Sequence, residues 1–268
     1  MPANAREIEV AHESGATIVG LDRRRSAPET PARPGRGRVV VERSAGRSVV
    51  CRAYATSPLR LLTPRNHGHA AWVYTSRHGG GLVDGDDVAV QASVGAGAAA
   101  FLSTQSATKV YRSPRGTRAA LAADIGENAL LVAAPDAVVC FAESRYRQTQ
   151  EIAVAAGGRL VLVDRVTSGR RESGERWRFD EYVSRTAVHL DGRLLVHDAT
   201  ALRASDGRLA DRFGRYDVLA VAMVIGRGLE EEIARIDARV RAEPVLRRAD
   251  RLLAAPPAGD PPGRLGHP

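Results

Sequence analysis

Short apolar segments separated by turn-forming residues run through most of this chain, and they constrain the fold more than any other feature. In the segment 88–94, Val88, Val90, Ala92 and Val94 alternate with small or polar residues, as in a strand with one buried face. Aromatic residues make up only 4% of the chain, so the core must consist mainly of valine, leucine and alanine. The strand candidates are 39–41, 48–54, 58–62, 70–74, 88–94, 98–102, 121–125, 130–132, 138–141, 146–154, 160–166, 186–190, 193–197 and 217–225.

Many short strands at near-regular spacing, followed by one helical segment, predict a mainly β protein with a single β-rich domain. The clearest turn is Asp191-Gly192, a strong signal for a two-residue hairpin. Pairing across this turn places Leu190 opposite Arg193 and Val188 opposite Leu195. In that register His189 and His197 lie on opposite faces, which argues against a metal site shared by the two histidines.

The two ends of the chain lack the strand pattern. Residues 1–37 contain an arginine triplet and several prolines, so we expect a flexible N-terminal arm. Residues 244–268 are rich in proline and glycine and predict a largely disordered C-terminal tail. The β-rich domain is therefore expected over residues 38–243.

Residues 229–242 change to a helical period and predict an amphipathic helix. Its apolar face contains Leu229, Ile233, Ile236 and Val240. The opposite charges of Glu231 and Arg235, and of Asp237 and Arg241, are spaced to pair along the helix. Two interpretations remain open: the helix docks on the domain, or its apolar face contacts a partner.

The charge and cysteine content restrict the classes of protein. A net charge of +8 and a pI of about 10.2 allow a nucleic acid, an anionic membrane or an acidic protein as partner, or simply an arginine-rich solvated surface. Base stacking needs aromatic side chains, so a nucleic-acid-binding module is the less favoured alternative. Cys51 and Cys140 are expected to be buried free thiols in a reducing cytoplasm. No apolar run is long enough for a membrane span, so we expect a soluble, cytoplasmic protein.

The sequence contains no recognisable catalytic motif, such as the histidine pair of a zinc protease or the serine elbow of a hydrolase. The nearest metal motif is His67-Gly68-His69, because residues two apart on a strand point the same way and can bind one ion. A metal-dependent hydrolase built on His67 and His69 is a third interpretation. Exposed histidines explain the same pattern more simply, so we predict that the protein is not an enzyme.

Three glycine-rich or polar stretches interrupt the strand pattern, at 79–86, 103–113 and 169–175. The second contains Lys109, the only lysine among 39 basic residues. Lysine is a compact point charge, whereas arginine is a planar fork, so this position is a candidate for one that arginine cannot fill. The polar stretch lies between two apolar runs, and we expect its own hydroxyl and amide groups to satisfy its hydrogen bonds locally.

These stretches resemble the motifs of the urease accessory protein family UreD, also called UreH. Thr104 to Arg112 is similar to the family's Thr-Gln-x-x-x-Lys-x-Tyr-Arg, Gly80 to Asp86 to its Gly-Gly-Leu-Val-x-Gly-Asp, and Gly169 to Glu175 to its Gly-Arg-x-x-x-Gly-Glu. Pro58-Leu59-Arg60 also resembles an early family motif, and all four occur in the family's order. The resemblance covers roughly residues 38–242.

The resemblance implies a β-helix-like stack of sheets and a non-enzymatic role in urease maturation. Family members act as scaffolds with UreF and the GTPase UreG on the apo-urease subunits, and they help nickel reach the active site through an internal water-filled passage. No cofactor would be tightly bound, and nickel would be handled only transiently. The chain has no phosphate-binding loop, so a partner would have to supply GTP hydrolysis.

The resemblance also suggests roles for individual residues. The candidate transient nickel ligands are Asp84, Asp86 and Glu175, with His67 and His69 as weaker candidates. The motif positions expected to be structural or to face partners are Gly80, Gly81, Gly85, Thr104, Gln105, Lys109, Tyr111, Arg112, Gly169, Arg170, Gly174 and Glu175.

Overall fold

The computed structural model describes residues 34–65 and 68–243, which form two β-sheets that enclose a common interior. The seven-stranded sheet contains β1 (Gly35–Ser44), β2 (Arg47–Ala55), β6 (Asp87–Val94), β9 (Thr117–Ile125), β12 (Arg145–Val154), β14 (Glu181–Leu190) and β15 (Arg193–Arg203). The nine-stranded sheet contains β3 (Leu59–Leu62), β4 (Ala71–Arg77), β5 (Gly81–Leu82), β7 (Ala99–Thr104), β8 (Thr108–Val110), β10 (Leu130–Ala133), β11 (Val138–Cys140), β13 (Arg159–Thr167) and β16 (Val218–Ile225). The prediction of a mainly β protein is confirmed.

The middle of the chain coils through the two sheets in a repeating order. One strand in the seven-stranded sheet is followed by two in the nine-stranded sheet, as in β6, β7 and β8 and again in β9, β10 and β11. Each turn stacks in parallel on the one before it: Val88 pairs with Ala119, and Ala119 pairs with Gln148. This coil confirms the β-helix-like stack that the family resemblance implied.

Hairpins flank the coil, and each contains a bulge that the sequence did not reveal. In the β14–β15 hairpin, Leu190 pairs with Arg193 as predicted, but one extra residue shifts the register so that Val188 pairs with Val196 rather than Leu195. His197 therefore pairs with Ala187, which shares a strand face with His189. The prediction that the two histidines lie on opposite faces is wrong.

The second bulge explains the exposure of one cysteine. Val40 pairs with Arg52 and Val41 with Val50, which leaves Cys51 as the unpaired residue of β2. Cys51 is exposed and Cys140 is buried, and both are free thiols. The prediction of free thiols is confirmed, but the prediction that both are buried is wrong for Cys51.

The interior contains two separate apolar clusters, both dominated by aliphatic side chains as expected. The larger cluster includes Val41, Val73, Leu131, Ile152, Leu160 and Val188. The smaller cluster adds most of the buried rings and includes Leu82, Val110, Tyr146, Val166, Trp177 and Phe179.

The first strand begins earlier than the sequence suggested. β1 starts at Gly35, whereas order was expected from residue 38. Gly35 and Gly37 allow β3 to pack closely over β1, because a Cβ atom at Gly37 would lie 2.8 Å from Leu59 Cδ2. The remainder of the predicted arm and the predicted tail over 244–268 lie outside the described residues.

The late helix is confirmed as α2 (Glu230–Ala242), and a shorter helix, α1 (Leu209–Phe213), was not predicted. The pair of Asp237 and Arg241 forms, whereas Arg235 pairs with Glu232 instead of Glu231. α2 buries none of its residues, so the described chain offers no support for docking on the domain. Among the described residues, no helix has the length and apolar character needed to cross a membrane.

Candidate functional site

The three interrupting stretches of the sequence meet at one end of the nine-stranded sheet. β5 lies beside β8, and β8 lies beside β11, so Gly81, Lys109 and Val139 are neighbours on adjacent strands. The ring of Tyr111 packs edge-on against that of Phe141, with centroids 5.1 Å apart. The guanidinium carbon of Arg170 lies over the same Phe141 ring, 4.2 Å from its centroid. The fold therefore joins all three motifs into one unit.

Glycines make this close approach possible. A Cβ atom at Gly81 would lie 2.6 Å from the Tyr111 ring and 2.7 Å from the Lys109 carbonyl oxygen. Gly169 has a φ of 111°, and a Cβ atom there would lie 2.9 Å from the Cys140 carbonyl oxygen. Gly80, Gly85 and Gly174 instead supply left-handed turns, at φ 72°, 86° and 72°.

The polar stretch 103–113 bonds to other strands rather than to itself. Ser103 Oγ donates to the Ala134 carbonyl at 2.8 Å, and Thr104 Oγ1 accepts from the Asp136 amide at 2.9 Å. Ser76 Oγ donates to Gln105 Oε1, and Arg77 Nη1 donates to Thr108 Oγ1. The expectation that this stretch satisfies itself locally is wrong, because its side chains fasten neighbouring turns of the coil together.

The exposed members of the motifs form a charged surface. The Lys109 side chain is exposed although its backbone lies between two strands. Arg112 Nε donates to Glu143 Oε2 at 2.6 Å. Arg170 forms a two-point ion pair with Glu175, which also accepts from the Ala142 amide at 3.1 Å.

The three predicted carboxylate ligands lie in separate environments. Asp84 accepts from the Arg115 amide and side chain, each at 2.8 Å, and these bonds lower its pKa although burial alone would raise it. The buried Asp86 accepts from the Val83 amide at 2.8 Å, and Glu175 is paired with Arg170. No group of three or more His, Cys, Asp or Glu with metal-binding geometry occurs among the described residues. His69 is exposed, and His67 lies outside the described residues.

The Arg170–Glu175 pair predicts a pH-dependent contribution to stability. The hydrogen bond from Arg170 lowers the pKa of Glu175 below the ordinary glutamate value of 4.5. The ionised carboxylate therefore stabilises the fold above pH 4.5, and this stabilisation is lost as the pH falls through the folded-state pKa. We expect Glu175→Gln to lower the free energy of unfolding by about 1 kcal/mol at pH 7.

Urea unfolding at several pH values measures this contribution. The difference between Glu175→Gln and the parent chain should shrink toward zero below pH 4.5. Glu127→Gln, at an exposed glutamate, is the matched control and should have little effect. A loss that is the same at every pH would contradict the ion-pair explanation.

A second site, which sequence reasoning missed, lies inside the fold between the two apolar clusters. We call it the polar seam and define it by Gln148, Gln150, Asp164, Ser184 and Thr186. Four of these residues are at least 90% buried, and Asp164 is partly buried. The seam joins β13 of the nine-stranded sheet to β12 and β14 of the seven-stranded sheet.

Hydrogen bonds hold one oxygen of Asp164 at the centre of the polar seam. The Oδ2 atom accepts from the side-chain amides of Gln148 and Gln150 and from Ser184 Oγ, the last at 3.3 Å. The Oδ1 atom takes no hydrogen bond from the described part of the chain. Burial raises the pKa of Asp164, and the nearby charge of Asp198 raises it further, although the three hydrogen bonds oppose this shift.

The polar seam borders a small cavity at the open edge between the two sheets. The cavity has about 10 Å³ of free space, roughly what one water molecule needs. Its lining residues are Leu162, Asp164, Val166, Tyr182, Ser184, Thr186, Asp198, Thr200, Leu219, Val221 and Met223. The lining residues from β14 and β15 are all polar, and those from β13 and β16 are apolar except for Asp164.

Polar contacts continue from the seam toward the motif end of the fold. Tyr146 donates to Gln148 Oε1 at 2.9 Å, and burial raises the pKa of this tyrosine. Arg77, whose pKa burial lowers, interacts electrostatically with Tyr146 and Asp86 and donates to Thr108. Hydrogen bonds therefore extend the polar seam as far as Tyr146, in the direction of Arg77 and Asp86.

One signal in the sequence could have revealed the polar seam. β12 alternates strictly between exposed and buried positions, and Gln148 and Gln150 occupy buried positions beside Tyr146 and Ile152. Glutamine at consecutive inward positions leaves amide groups that need buried partners. The inward position of Gln148 and Gln150 could therefore have been inferred from the alternation of β12 alone.

The fold and these sites define a class: a β-solenoid protein that has a cluster of buried polar side chains inside it and a charged motif surface at one end. The model of the family "UreD urease accessory protein" matches residues 33–258. The chain is 53% identical to the urease accessory protein UreD of Sorangium cellulosum over 72% of its own length and 62% of that protein's length. It is 42% identical to UreD of Anaeromyxobacter sp. over 87% of its own length and 79% of the relative.

A plant relative gives the same result. The chain is 38% identical to urease accessory protein D of Arabidopsis thaliana over 73% of its own length and 69% of the relative. It covers less than two thirds of the Sorangium protein. The chain belongs to the UreD urease accessory protein family.

Proposed function

We propose that this protein is a non-enzymatic urease maturation factor that acts in the cytoplasm. In this proposal it binds UreF, and through UreF the GTPase UreG, on the apo-urease subunits. Family membership and the accessory-protein names of its relatives support a role in urease maturation. The same membership favours this role over that of a basic nucleic-acid-binding module.

The polar seam is the observation that best supports transport of nickel as cargo. Buried amides, hydroxyls and a carboxylate take the place of apolar side chains at the centre of the fold, and their mutual hydrogen bonds offset the cost of burying them. They supply oxygen atoms in the interior that aliphatic side chains could not supply. They also form a continuous chain rather than isolated pairs. We infer that Ni²⁺ passes along this chain.

The chemistry of the polar seam suits transient binding. Carboxylate and hydroxyl oxygens bind a borderline divalent ion such as Ni²⁺ less strongly than thiolates or clustered imidazoles do. Asp164 supplies one negative charge beside the cavity, and Asp198 supplies a second nearby. A site with so few charged ligands can admit an ion and release it again.

The predicted ligands enter this proposal in two ways. Asp86 lies in the motif 80–86 and interacts electrostatically with Arg77, and in our proposal it is the first contact for the ion. Asp84 and Glu175 are each held by an arginine, so in our proposal they shape the motif surface rather than carry nickel. Lys109, Tyr111 and Arg112 would face a protein partner on that surface.

Complementation tests the proposed function directly. A urease operon that lacks its own UreD protein is expressed in a urease-negative host, and this chain is supplied from a second plasmid. We expect urease activity and nickel in the purified urease, neither of which should appear with an empty plasmid. Soluble chain that co-purifies with UreF and yet gives nickel-free urease would contradict the maturation role.

A further inference from the structure

The outward faces of the two sheets differ in a way that suggests a binding surface. In β12 of the seven-stranded sheet the outward residues are polar, among them Arg147, Thr149 and Glu151. In the nine-stranded sheet, β10 is apolar on both faces, and the middle residues of β7 and β13 add Phe101, Val161 and Val163 to the outward face. Parallel strands with apolar residues on both faces are normally covered on both faces. Here the inward residues are mostly buried, whereas the outward ones are only partly buried by the described chain.

A row of apolar side chains crosses five neighbouring strands on this outward face. We call it the apolar ladder. Trp72 pairs with Phe101, Phe101 with Val132, Val132 with Val161, and Val161 with Val224. Trp72 is 42% exposed, and its ring contacts those of Tyr74 and Phe101. Aromatic and aliphatic side chains in this arrangement resemble the core of a protein interface.

The charges on this face all have the same sign. Lys109 lies in a second row, paired with Val139 and Gly81. Arg60, Arg159 and Arg165 occupy other outward positions. No carboxylate occupies an outward strand position of the nine-stranded sheet within the described residues. The outward strand positions are therefore apolar along the ladder and basic beside it.

We propose that the outward face of the nine-stranded sheet, centred on the apolar ladder, docks a partner protein whose surface is apolar at its centre and acidic at its rim. The proposal rests on the proposed function, because the partner would belong to the urease maturation complex. A second copy of this chain fits poorly as the partner. Each copy has a net charge of +8, so pairing two of these faces would bring like charges together. The lysine that distinguishes the central motif then has a role as a compact charge on the docking face.

Fluorine NMR can detect the contact because the chain has two tryptophans in contrasting positions. Trp72 lies on the apolar ladder, and Trp177 is buried against Phe213. The full chain is labelled with 5-fluorotryptophan and mixed with unlabelled UreF or apo-urease. We expect the Trp72 resonance to shift on binding one of these partners while the Trp177 resonance stays in place.

Variants then test the energetic importance of the face. Phe101→Asp places a charge on the apolar ladder, and Ala122→Asp places the same charge on the exposed outward face of β9 as a control. We expect Phe101→Asp to weaken partner binding by at least about thirtyfold, as for a residue at the centre of an interface, and Ala122→Asp to leave it unchanged. Where Phe101→Asp disturbs the Trp177 resonance and hence the fold, Phe101→Ala replaces it, with an expected loss of about tenfold.

The outcomes separate a failure of the proposed docking face from a failure of the proposed function. If the parent chain binds neither UreF nor apo-urease, the proposed function fails. If the parent chain and Phe101→Asp bind equally, the docking face is wrong and the proposed function stands. If the free chain is a dimer that Phe101→Asp dissociates, a second copy covers the face and the proposal is overturned. A Trp72 resonance that is already shielded in the free monomer would assign the face to another segment of this chain.

Discussion

Replacing Asp164 by asparagine is expected to lower urease activation by about tenfold or more, the size of effect seen when a metal-handling group is changed. Asparagine keeps the shape of the side chain and can still accept from Gln148 and Gln150, but it removes the negative charge from the polar seam. Urease activity and nickel content, measured in the complementation system at limiting nickel, report the effect. The complex with UreF should form normally.

The same substitution should not weaken the fold. Burial raises the pKa of Asp164, so its ionisation costs more in the folded protein than in the unfolded chain. That cost appears as the pH rises above 3.8, the ordinary aspartate value, and persists above the folded-state pKa. At neutral pH we therefore expect Asp164→Asn to be at least as stable as the parent chain in urea unfolding.

A control separates charge in the polar seam from charge on the outward face of a strand that contributes to the seam. Glu151→Gln makes the same acid-to-amide change at an exposed outward position of β12. It should leave activation unchanged. Equal activation by Asp164→Asn and Glu151→Gln would show that nickel does not depend on the polar seam, and loss of stability in Asp164→Asn would mean that the charge is structural.

The second large effect is expected at Gly81, where alanine should destabilise the fold by about 3 kcal/mol. The new methyl group would lie within 2.7 Å of both the Tyr111 ring and the Lys109 carbonyl oxygen. A carbonyl in a strand cannot move without disturbing the pairing of β5 with β8. Thermal and urea unfolding measure the loss, and the Trp177 fluorescence reports whether the smaller apolar cluster loosens.

The neighbouring glycine is the natural comparison. A Cβ atom at Gly80 meets nothing within 4 Å, and the cost of alanine there is only that of a left-handed backbone at φ 72°, about 1 kcal/mol. Gly81→Ala should therefore cost clearly more than Gly80→Ala. The reverse order would mean that the motif glycines serve turn geometry alone and not the packing of the three motifs.

Local patterns predicted the strands well because alternation depends only on which face of a strand is buried. The segment 88–94 and the turn at Asp191-Gly192 were recognisable for that reason. The bulges at Cys51 and Leu195 were not, because an extra residue leaves the composition of a strand unchanged and alters only its pairing. The error in the relative faces of His189 and His197 follows directly from the second bulge.

The candidate site was predictable only in part. Family resemblance identified the three motifs, and the structure shows that they pack together, but no local pattern linked Gly81 to Tyr111 or Phe141 to Arg170. The polar seam depends on residues from three consecutive strands that lie in two different sheets, joined by hydrogen bonds that span 14 to 36 residues. Their meeting is set by the coil, and periodicity within one segment carries no information about the next turn.

The parallel coil also has a consequence for how the chain reaches its native state. No strand of the coil can pair with its parallel neighbour until the chain has completed a further turn. Val88 pairs with Ala119, 31 residues later, and Ala119 pairs with Gln148, 29 residues later. Contacts that close such long loops slow folding and prolong the time during which strand edges and apolar surfaces are exposed. Synthesis together with a partner that covers the outward face would shorten that interval, so the yield of folded chain should depend on when the partner is made as well as on how much of it is present.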